Sequence, residues 1–247
     1  ITSNSSTAVF DWERAAVAGI TNASATGTGS TITETLLNET DEPVVVRYVI
    51  TPSVNGCDGV AFNLDVTVNP TATITSEATA NWCNDTENTY EITSNSSTAV
   101  FDWERAAVAG ITNGPASGTG DEITETLVND TDEPVVVRYV ITPSVNGCDG
   151  VAFNLDVTVN PTATITSEAT ANWCNDTENT YEITSNSSTA VFDWERAAVA
   201  GITNGPASGT GDEITETLVN DTDEPVVVRY VITPSVNGCD GVAFNLD

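Results

Sequence analysis

Oxygen-bearing side chains crowd one short turn of the chain, and calcium binding is the chemistry they could support. Asn129, Asp130, Asp132 and Glu133 all lie in the segment 129–133. Because Ca²⁺ takes about six to eight oxygen ligands, the site would need helpers. Three acids are available for that role: Asp121, Glu122 and Asp149. The spacing is not that of an EF-hand loop. A solvated acidic turn at the start of a strand explains the same residues, so both interpretations stay open.

Paired carboxylates also raise the question of hydrolysis. Asp102 and Glu104 stand near Trp103, which is the minimum for glycoside cleavage. Asp102 and Glu104 alternate with apolar residues, however, so they lie on the solvent-facing side of a predicted strand. The chain has no His, which excludes Ser/His and Cys/His nucleophiles. We therefore predict that the protein is not an enzyme.

The five cysteines occupy two kinds of position. Cys57, Cys148 and Cys239 follow the same Asn-Gly pair, whereas Cys83 and Cys174 each follow a Trp. Two cysteines per repeat, with no His and no Cys-x-x-Cys, indicate disulfides in an oxidising, extracellular setting. We predict the pairs Cys83–Cys148 and Cys174–Cys239, with the partner of Cys57 outside the sequence. Two thiols per repeat cannot complete a zinc site.

An internal repeat organises these residues. The segment ITSNSSTAVFDWERAAVAGI begins at Ile1, Ile92 and Ile183, which gives a period of 91 residues. That length suits one small β-sandwich of roughly 100 residues. The predicted domains are the C-terminal part of a truncated repeat (1–70), a complete repeat (71–161) and a nearly complete one (162–247). We expect the sequence to be a window on a longer array.

Each repeat contains short alternating apolar runs, which predict an all-β fold. The most regular run is Val151–Val159, preceded by a central strand at Val135–Ile141. Further strands are predicted at 71–75, 89–93, 100–105 and 122–128, with loops at 76–88 and 113–120. The predicted core is built from large apolar side chains: Phe101, Trp103, Tyr139, Phe153 and Leu155. Pro161 leaves a short, stiff linker between repeats, which favours an extended row of domains.

The charge excludes several classes of partner. There are 36 Asp and Glu against six Arg and no Lys, for a formal net charge of −30. Nucleic-acid binders and proteins that bind anionic membranes need basic patches, so neither partner is expected. No segment is long and apolar enough to insert into a bilayer. Without Lys or Gln, the disulfide is the only internal covalent cross-link we expect.

Several motifs resemble a known family. FDWERAAVAGI, SGTGDEITETL, VVVRYVITPSVNGCDG and FNLDVTVNP are similar to the PKD-like, immunoglobulin-like repeat of giant bacterial surface adhesins. These adhesins belong to gliding and biofilm-forming bacteria that use the type IX secretion system. The matching positions run through the second repeat: Phe101, Trp103, Arg105, Ala106, Gly118, Gly120, Ile123, Glu125, Leu127, Tyr139, Ile141, Thr142, Pro143, Asn146, Gly147 and Cys148. The resemblance implies an extracellular filament without catalytic residues.

Together these features predict a structural stalk that projects an adhesive region from the cell surface. Its expected partners are neighbouring repeats of the same chain and, laterally, identical filaments; the distal ligand is not encoded here. Two alternatives remain. Each repeat could be a weak carbohydrate-binding module acting by avidity, with Trp82 as a stacking platform. The repeats could instead pack laterally into a sheath or surface layer through exposed strand edges.

Overall fold

A computed structural model describes all 247 residues, and it contains strands, turns and loops but no helix. It follows that no helix in it could cross a membrane. We use the sequence repeats as units: the first unit is 1–70, the second 71–161 and the third 162–247.

The strands recur from unit to unit. The first unit contains β1 (Val9–Arg14), β2 (Ala25–Thr28), β3 (Val44–Val54), β4 (Cys57–Asp58) and β5 (Phe62–Val68). The second contains β6 (Thr79–Cys83), β7 (Glu87–Glu91), β8 (Val100–Arg105), β9 (Ala116–Thr119), β10 (Glu122–Thr126), β11 (Val135–Val145), β12 (Cys148–Asp149) and β13 (Phe153–Asn160). The third contains β14 (Glu178–Glu182), β15 (Val191–Arg196), β16 (Ala207–Thr210), β17 (Glu213–Thr217), β18 (Tyr230–Val236), β19 (Cys239–Asp240) and β20 (Phe244–Leu246).

The second unit shows the complete architecture, a β-sandwich of two unequal sheets. The large sheet has the order β6-β13-β11-β8-β9, with β12 also paired to β11. The small sheet consists of β7 and β10. All these pairs are antiparallel except β6–β13, which is parallel. Although β11 is central in the sheet and its sequence is apolar on both faces, only one face is covered: Val137, Tyr139 and Ile141 are buried, whereas Val136 and Arg138 are exposed.

The core of the second unit lies between these sheets. Its thirteen buried residues all fall between Trp82 and Val159. Of the predicted core residues, Phe101, Tyr139 and Leu155 are buried, whereas Trp103 and Phe153 are half-buried and pack against the cluster. The first and third units bury smaller clusters of their own. Each cluster therefore belongs to a single unit.

Two segments fold differently from the sequence prediction. The predicted opening strand 71–75 forms only an isolated bridge, between Ile74 and Ser94. The real edge strand is β6, inside the predicted loop 76–88, and β9 lies inside the predicted loop 113–120. Residues 71–75 instead run against the hairpin loop of their own unit, where the Val151 amide donates to the Ala72 carbonyl at 3.2 Å. A Cβ on Gly150 would lie 2.0 Å from that carbonyl oxygen.

The Gly-x-Gly motif has a packing role on the large sheet. Gly118 of β9 lies opposite Trp103 of β8 in the strand register. A Cβ on Gly118 would lie 2.6 Å from the indole ring, closer than such contacts occur. The ring therefore covers Gly118, and the missing side chain makes room for it.

Substituting Gly118→Ala in the second unit should lower that unit's free energy of unfolding by about 1–3 kcal/mol, because overpacking forces the rigid indole ring to move. Gly114→Ala is the matched control, since a Cβ there meets no atom within 4 Å. Urea unfolding followed by circular dichroism compares the two variants. Equal stability of both would show that the ring does not lie on Gly118.

Candidate functional site

The junction between the second and third units is the most specific arrangement in the molecule. Asn160, at the end of β13, is fully buried there. Its amide nitrogen donates to the Trp82 carbonyl at 3.2 Å, and its oxygen accepts from Asn237 Nδ2 at 2.8 Å. Asn84 Nδ2 donates to Thr162 Oγ1 of the third unit at 3.0 Å. The linker is therefore held by polar contacts from both units.

A disulfide crosses this junction. Cys83 is bonded to Cys239, 156 residues away in sequence, with their Cα atoms 5.4 Å apart. That separation lies within the range of about 4.4–6.8 Å that a disulfide needs. Asn160 Nδ2 lies 3.7 Å from Cys239 Sγ, so the linker packs directly on the bond. We call this bond the staple.

The pairing corrects the sequence prediction. Cys148 and Cys174 are free and exposed, as is Cys57, so the predicted pairs Cys83–Cys148 and Cys174–Cys239 are not present. The reason is strand direction. Because β6 runs parallel to β13, Cys83 lies beside Asn160 at one end of the sheet. Cys148 lies across from Val145, at the opposite end of β11.

The distance between those ends excludes a bond within the unit. The strand β11 has eleven residues. At about 3.4 Å per residue it separates the two cysteines by roughly 30 Å. The second unit thus presents one cysteine at each end. Counting two cysteines per repeat could not distinguish a bond within a unit from a bond between units.

The conformation of the Asn-Gly-Cys motif explains why this cysteine is at the tip. Val145 pairs with Cys148, which leaves Asn146 and Gly147 as a two-residue hairpin loop. Their φ angles are 50° and 76°. Positive φ at both central residues defines the hairpin turn for which Asn-Gly is the preferred sequence. The motif therefore builds a tight turn that carries the cysteine outward.

The acidic turn predicted to bind calcium contributes to the same junction. Asp132 accepts from Asn186 Nδ2 at 2.7 Å, and Glu133 accepts from the Ser188 amide at 2.8 Å; both donors belong to the third unit. The hydrogen bonds from the Ser188 amide and hydroxyl lower the pKa of Glu133 below its usual value. Two of the four predicted ligands thus hold the next unit.

The other predicted ligands do not complete a metal site. Asn129 is buried, and its amide donates to the Glu133 and Val159 carbonyls and accepts from Thr131. Asp130 is exposed. The chain contains no group of three or more His, Cys, Asp or Glu residues that could hold a metal ion. The calcium hypothesis therefore has no support from the arrangement of these residues.

The first junction repeats the second in register. Asn69 accepts from Asn146 Nδ2 at 2.9 Å, and Asp41 accepts from Asn95 Nδ2 at 2.7 Å. Glu42 accepts from the Ser97 amide at 3.0 Å. Each of these residues is 91 positions before its counterpart in the second junction. Hydrogen bonds between units join only consecutive units.

A buried ion pair recurs in every unit, and in the second unit it connects the two sheets. Arg105 of β8 has its side chain only 1% exposed and forms a two-pronged salt bridge with Glu125 of β10, with contacts of 2.8 and 2.9 Å. Tyr139 of β11 donates its hydroxyl to the same carboxylate. Arg105 also donates to the Gly114 carbonyl at 2.8 Å. The same triad recurs in the other units as Arg14, Glu34, Tyr48 and as Arg196, Glu216, Tyr230.

The triad changes the acidity of its members. Burial alone would raise the pKa of Glu125, but hydrogen bonds from Arg105 and Tyr139 outweigh it and hold that pKa below its usual value. Burial, together with the hydrogen bond to Glu125, raises the pKa of Tyr139. In the first unit the same causes raise the pKa of Tyr48 to about 12. The carboxylate stays charged and the phenol stays protonated at neutral pH.

The residues considered for catalysis or sugar stacking lie elsewhere. Asp102 and Glu104 are exposed on the outer face of β8. Trp82 is only 3% exposed and packs against Tyr139, with ring centroids 5.9 Å apart, so it is not an open stacking platform. The pairing of Trp82 with the core agrees with the usual place of an aromatic residue beside a disulfide.

The fold and junctions define the class of protein. These are tandem all-β domains that repeat every 91 residues, each with its own buried core and with the same hydrogen bonds to the next domain. The chain belongs to the PKD-like domain family, whose model matches residues 1–72, 80–163 and 171–247.

Solved structures give only distant likenesses. Chicken CNTN1 FN1–FN3 is 8% identical over 99% of this chain and 90% of its own, with a TM-score of 0.42. An E-to-A variant of titin I67–I69 is 10% identical over 98% and 87% of the two chains, with a TM-score of 0.38. Sidekick-1 immunoglobulin domains 1–5 are 13% identical over 97% and 51%, with a TM-score of 0.29. No curated protein matches the chain.

Replacing Glu125 with Gln should lower the free energy of unfolding of the second unit by about 2–4 kcal/mol, because the buried Arg105 loses its counter-ion. Glu104→Gln, on the exposed face of β8, is the matched control and should change little. Urea unfolding followed by circular dichroism compares the two variants. In the Glu125→Gln chain the changed mass of β10 also distinguishes it from the identical β17, whose intact ion pair is the internal reference for hydrogen exchange.

The same ion pair sets the acid response. Because the folded-state pKa of Glu125 is lowered, its contribution to stability is complete above the unfolded value of about 4.3 and disappears as the pH falls through the folded value. Exchange protection of β10 in the Gln variant should therefore lose part of its pH dependence below that point. An unchanged acid response would contradict a native Arg105–Glu125 pair.

Proposed function

We propose that this chain is a section of the stalk of a long, repetitive cell-surface adhesin of the type exported by the type IX secretion system. The repeats would project a distal adhesive region from the cell during gliding or biofilm formation. The observation that supports this proposal is that both junctions join consecutive units through the same hydrogen bonds. A stalk needs such a repeated orientation, whereas independent binding modules do not.

The composition of the junction favours a fixed geometry over a hinge. The linker passes directly from Asn160 through Pro161 to Thr162, and the first two of these residues are buried. Proline fixes its own φ angle, and both neighbouring residues make hydrogen bonds. Short, anchored linkers transmit the direction of one unit to the next.

The charge distribution suits a single exposed filament. All six Arg side chains form salt bridges, three of them buried and three exposed on the large sheets. The 36 acidic residues thus outnumber the cations by 30, and no unpaired cation remains to attract a neighbouring filament. Like-charged surfaces keep chains soluble and apart, although the repulsion is screened beyond about 8 Å at physiological salt. A laterally packed sheath is therefore the weaker alternative.

Chains carrying the present sequence and one or two added 91-residue repeats provide the test. If the units are joined end to end, small-angle X-ray scattering should show a maximum dimension that grows by roughly 35–40 Å per repeat, about the length of an eleven-residue strand. The Cys57→Ser variant is a control that leaves the junctions untouched.

Two results would count against the stalk. A maximum dimension that does not grow with each repeat would show side-by-side packing. Binding of the present chain to a glycan array would favour the carbohydrate-binding alternative instead. The stalk proposal expects an increase in length in proportion to repeat number and no glycan binding by the repeats.

A further inference from the structure

We propose that Cys148 and Cys174 are the two halves of further staples: each forms a disulfide with the matching cysteine of an adjoining repeat. The partner is another copy of this repeat, at the position of Cys83 for Cys148 and at the position of Cys239 for Cys174. The inference deepens the proposed stalk function and rests on it for the presence of adjoining repeats. It assigns one disulfide to every junction of the array.

The surroundings of Cys148 match those of the bonded Cys239. In the second junction, Asn160 accepts from Asn237 and places its amide nitrogen 3.7 Å from Cys239 Sγ. In the first junction, Asn69 accepts from Asn146 and places its amide nitrogen 3.3 Å from Cys148 Sγ. Cys148 thus stands in a junction already built for the staple, and it is exposed. Compared with the second junction, the first lacks the edge strand that carries the cysteine corresponding to Cys83.

The surroundings of Cys174 match those of the bonded Cys83. The Cys83 amide donates to Asn88 Oδ1, and Asn88 Nδ2 donates to the Cys83 carbonyl. Asn179 makes the same two hydrogen bonds with Cys174, at 3.3 and 3.1 Å. Cys174 therefore makes the same local hydrogen bonds as the bonded cysteine and has an exposed and unpaired thiol.

Closing each staple is a two-electron oxidation. Two thiols lose two protons and two electrons and form one S–S bond. A low-molecular-weight disulfide can accept the electrons: a cysteine thiolate attacks it and releases one small thiol, and the second cysteine thiolate then displaces the other from the mixed disulfide. The products are the protein disulfide and two small thiols.

Repeated staples would limit how far the stalk can be stretched. The Asn-Gly-Cys cysteine of one unit and the Trp-Cys cysteine of the next are separated by only 26 residues of backbone, as Cys148 and Cys174 are. The second of these cysteines forms the next staple. A covalent path that runs through one staple and then along these 26 residues therefore spans two repeats. Those residues extend to about 90 Å at most, whereas two unstapled 91-residue repeats would extend to roughly 600–650 Å.

Counting free thiols tests the pairing in the present chain. Because 71–156 and 162–247 are identical in sequence, peptide masses cannot tell Cys83 from Cys174, but the intact mass after alkylation can report the number of thiols. We expect three alkylated thiols in the native protein: Cys57, Cys148 and Cys174. A single alkylated thiol would show two bonds within units and would overturn the inference.

A matched pair of variants identifies the bonded cysteine. Cys239→Ser should leave no disulfide and four alkylated thiols, whereas Cys148→Ser should keep the staple and leave two. If bonds formed within units instead, Cys239→Ser would keep a disulfide between Cys83 and Cys148. That result would contradict the staple without bearing on the increase in length that tests the stalk itself.

A lengthened chain tests directly whether Cys174 pairs with the matching cysteine of an added repeat. After Asp247 it continues with the sequence of Val157–Pro161 and then one more copy of Thr71–Pro161. Following oxidation by oxidised glutathione, we expect two disulfides and three alkylated thiols among its seven cysteines. Five alkylated thiols would show that Cys174 does not pair and would overturn the inference. Serine at the added Asn-Gly-Cys position is the control, and it should leave four.

Single-molecule stretching of the present chain measures the mechanical effect. The staple withholds 156 residues from extension, so chemical reduction should release about 500–560 Å of additional contour length. Cys57→Ser should behave as the native chain does, and Cys239→Ser should extend fully without reduction. Equal contour lengths of the oxidised and reduced native chain would show that no disulfide withholds residues from extension.

Discussion

The parallel pairing of β6 with β13 decides what the two cysteines of a unit can do. It brings Cys83 to the end of the sheet where the chain leaves the unit, beside Asn160. The Asn-Gly turn places the other cysteine at the opposite end, where the preceding unit docks. β6 pairs with β13 only over residues 156–160, so all of β6 lies toward the end of the sheet where the chain leaves the unit. The placement of the two cysteines at opposite ends thus makes them a coupling between repeats.

The buried triad has a different task, which is to join the sheets within a unit. Arg105, Glu125 and Tyr139 come from β8, β10 and β11, so one carboxylate connects the large sheet to the small one. A buried ion pair contributes little net stability compared with apolar packing, but losing one partner is costly. The triad therefore fixes how the two sheets sit on each other more than it adds to overall stability. This explains why the motif positions include one Arg, one Glu and one Tyr far apart in sequence.

The all-β class and the regular strands could be predicted from the sequence, because apolar and polar residues alternate in β8 and β13 as buried and exposed positions do. The sequence prediction misplaced the opening strand. Thr71–Thr75 alternates and is rich in Thr and Ile, whereas β6 contains Ala80 and Asn81, which have low strand propensity. β6 is a strand because it pairs with the edge of β13 and because its Trp82 packs in the core. Neither contact can be read from the sequence of β6 itself. The partner of Cys83 and the role of Asp132 depend on contacts between units, which no single repeat encodes.

The distribution of the six arginines has a consequence for survival outside a cell. Proteases of the trypsin type cut after Lys or Arg in segments that can be drawn out into their active-site cleft. This chain has no Lys, and every Arg lies within or beside a sheet strand with its guanidinium held by a carboxylate. Five of the six lie inside strands, and the sixth, Arg229, directly precedes β18 and is held by Asp247. Cleavage by a trypsin-type enzyme would therefore require a strand end to open and its ion pair to break first.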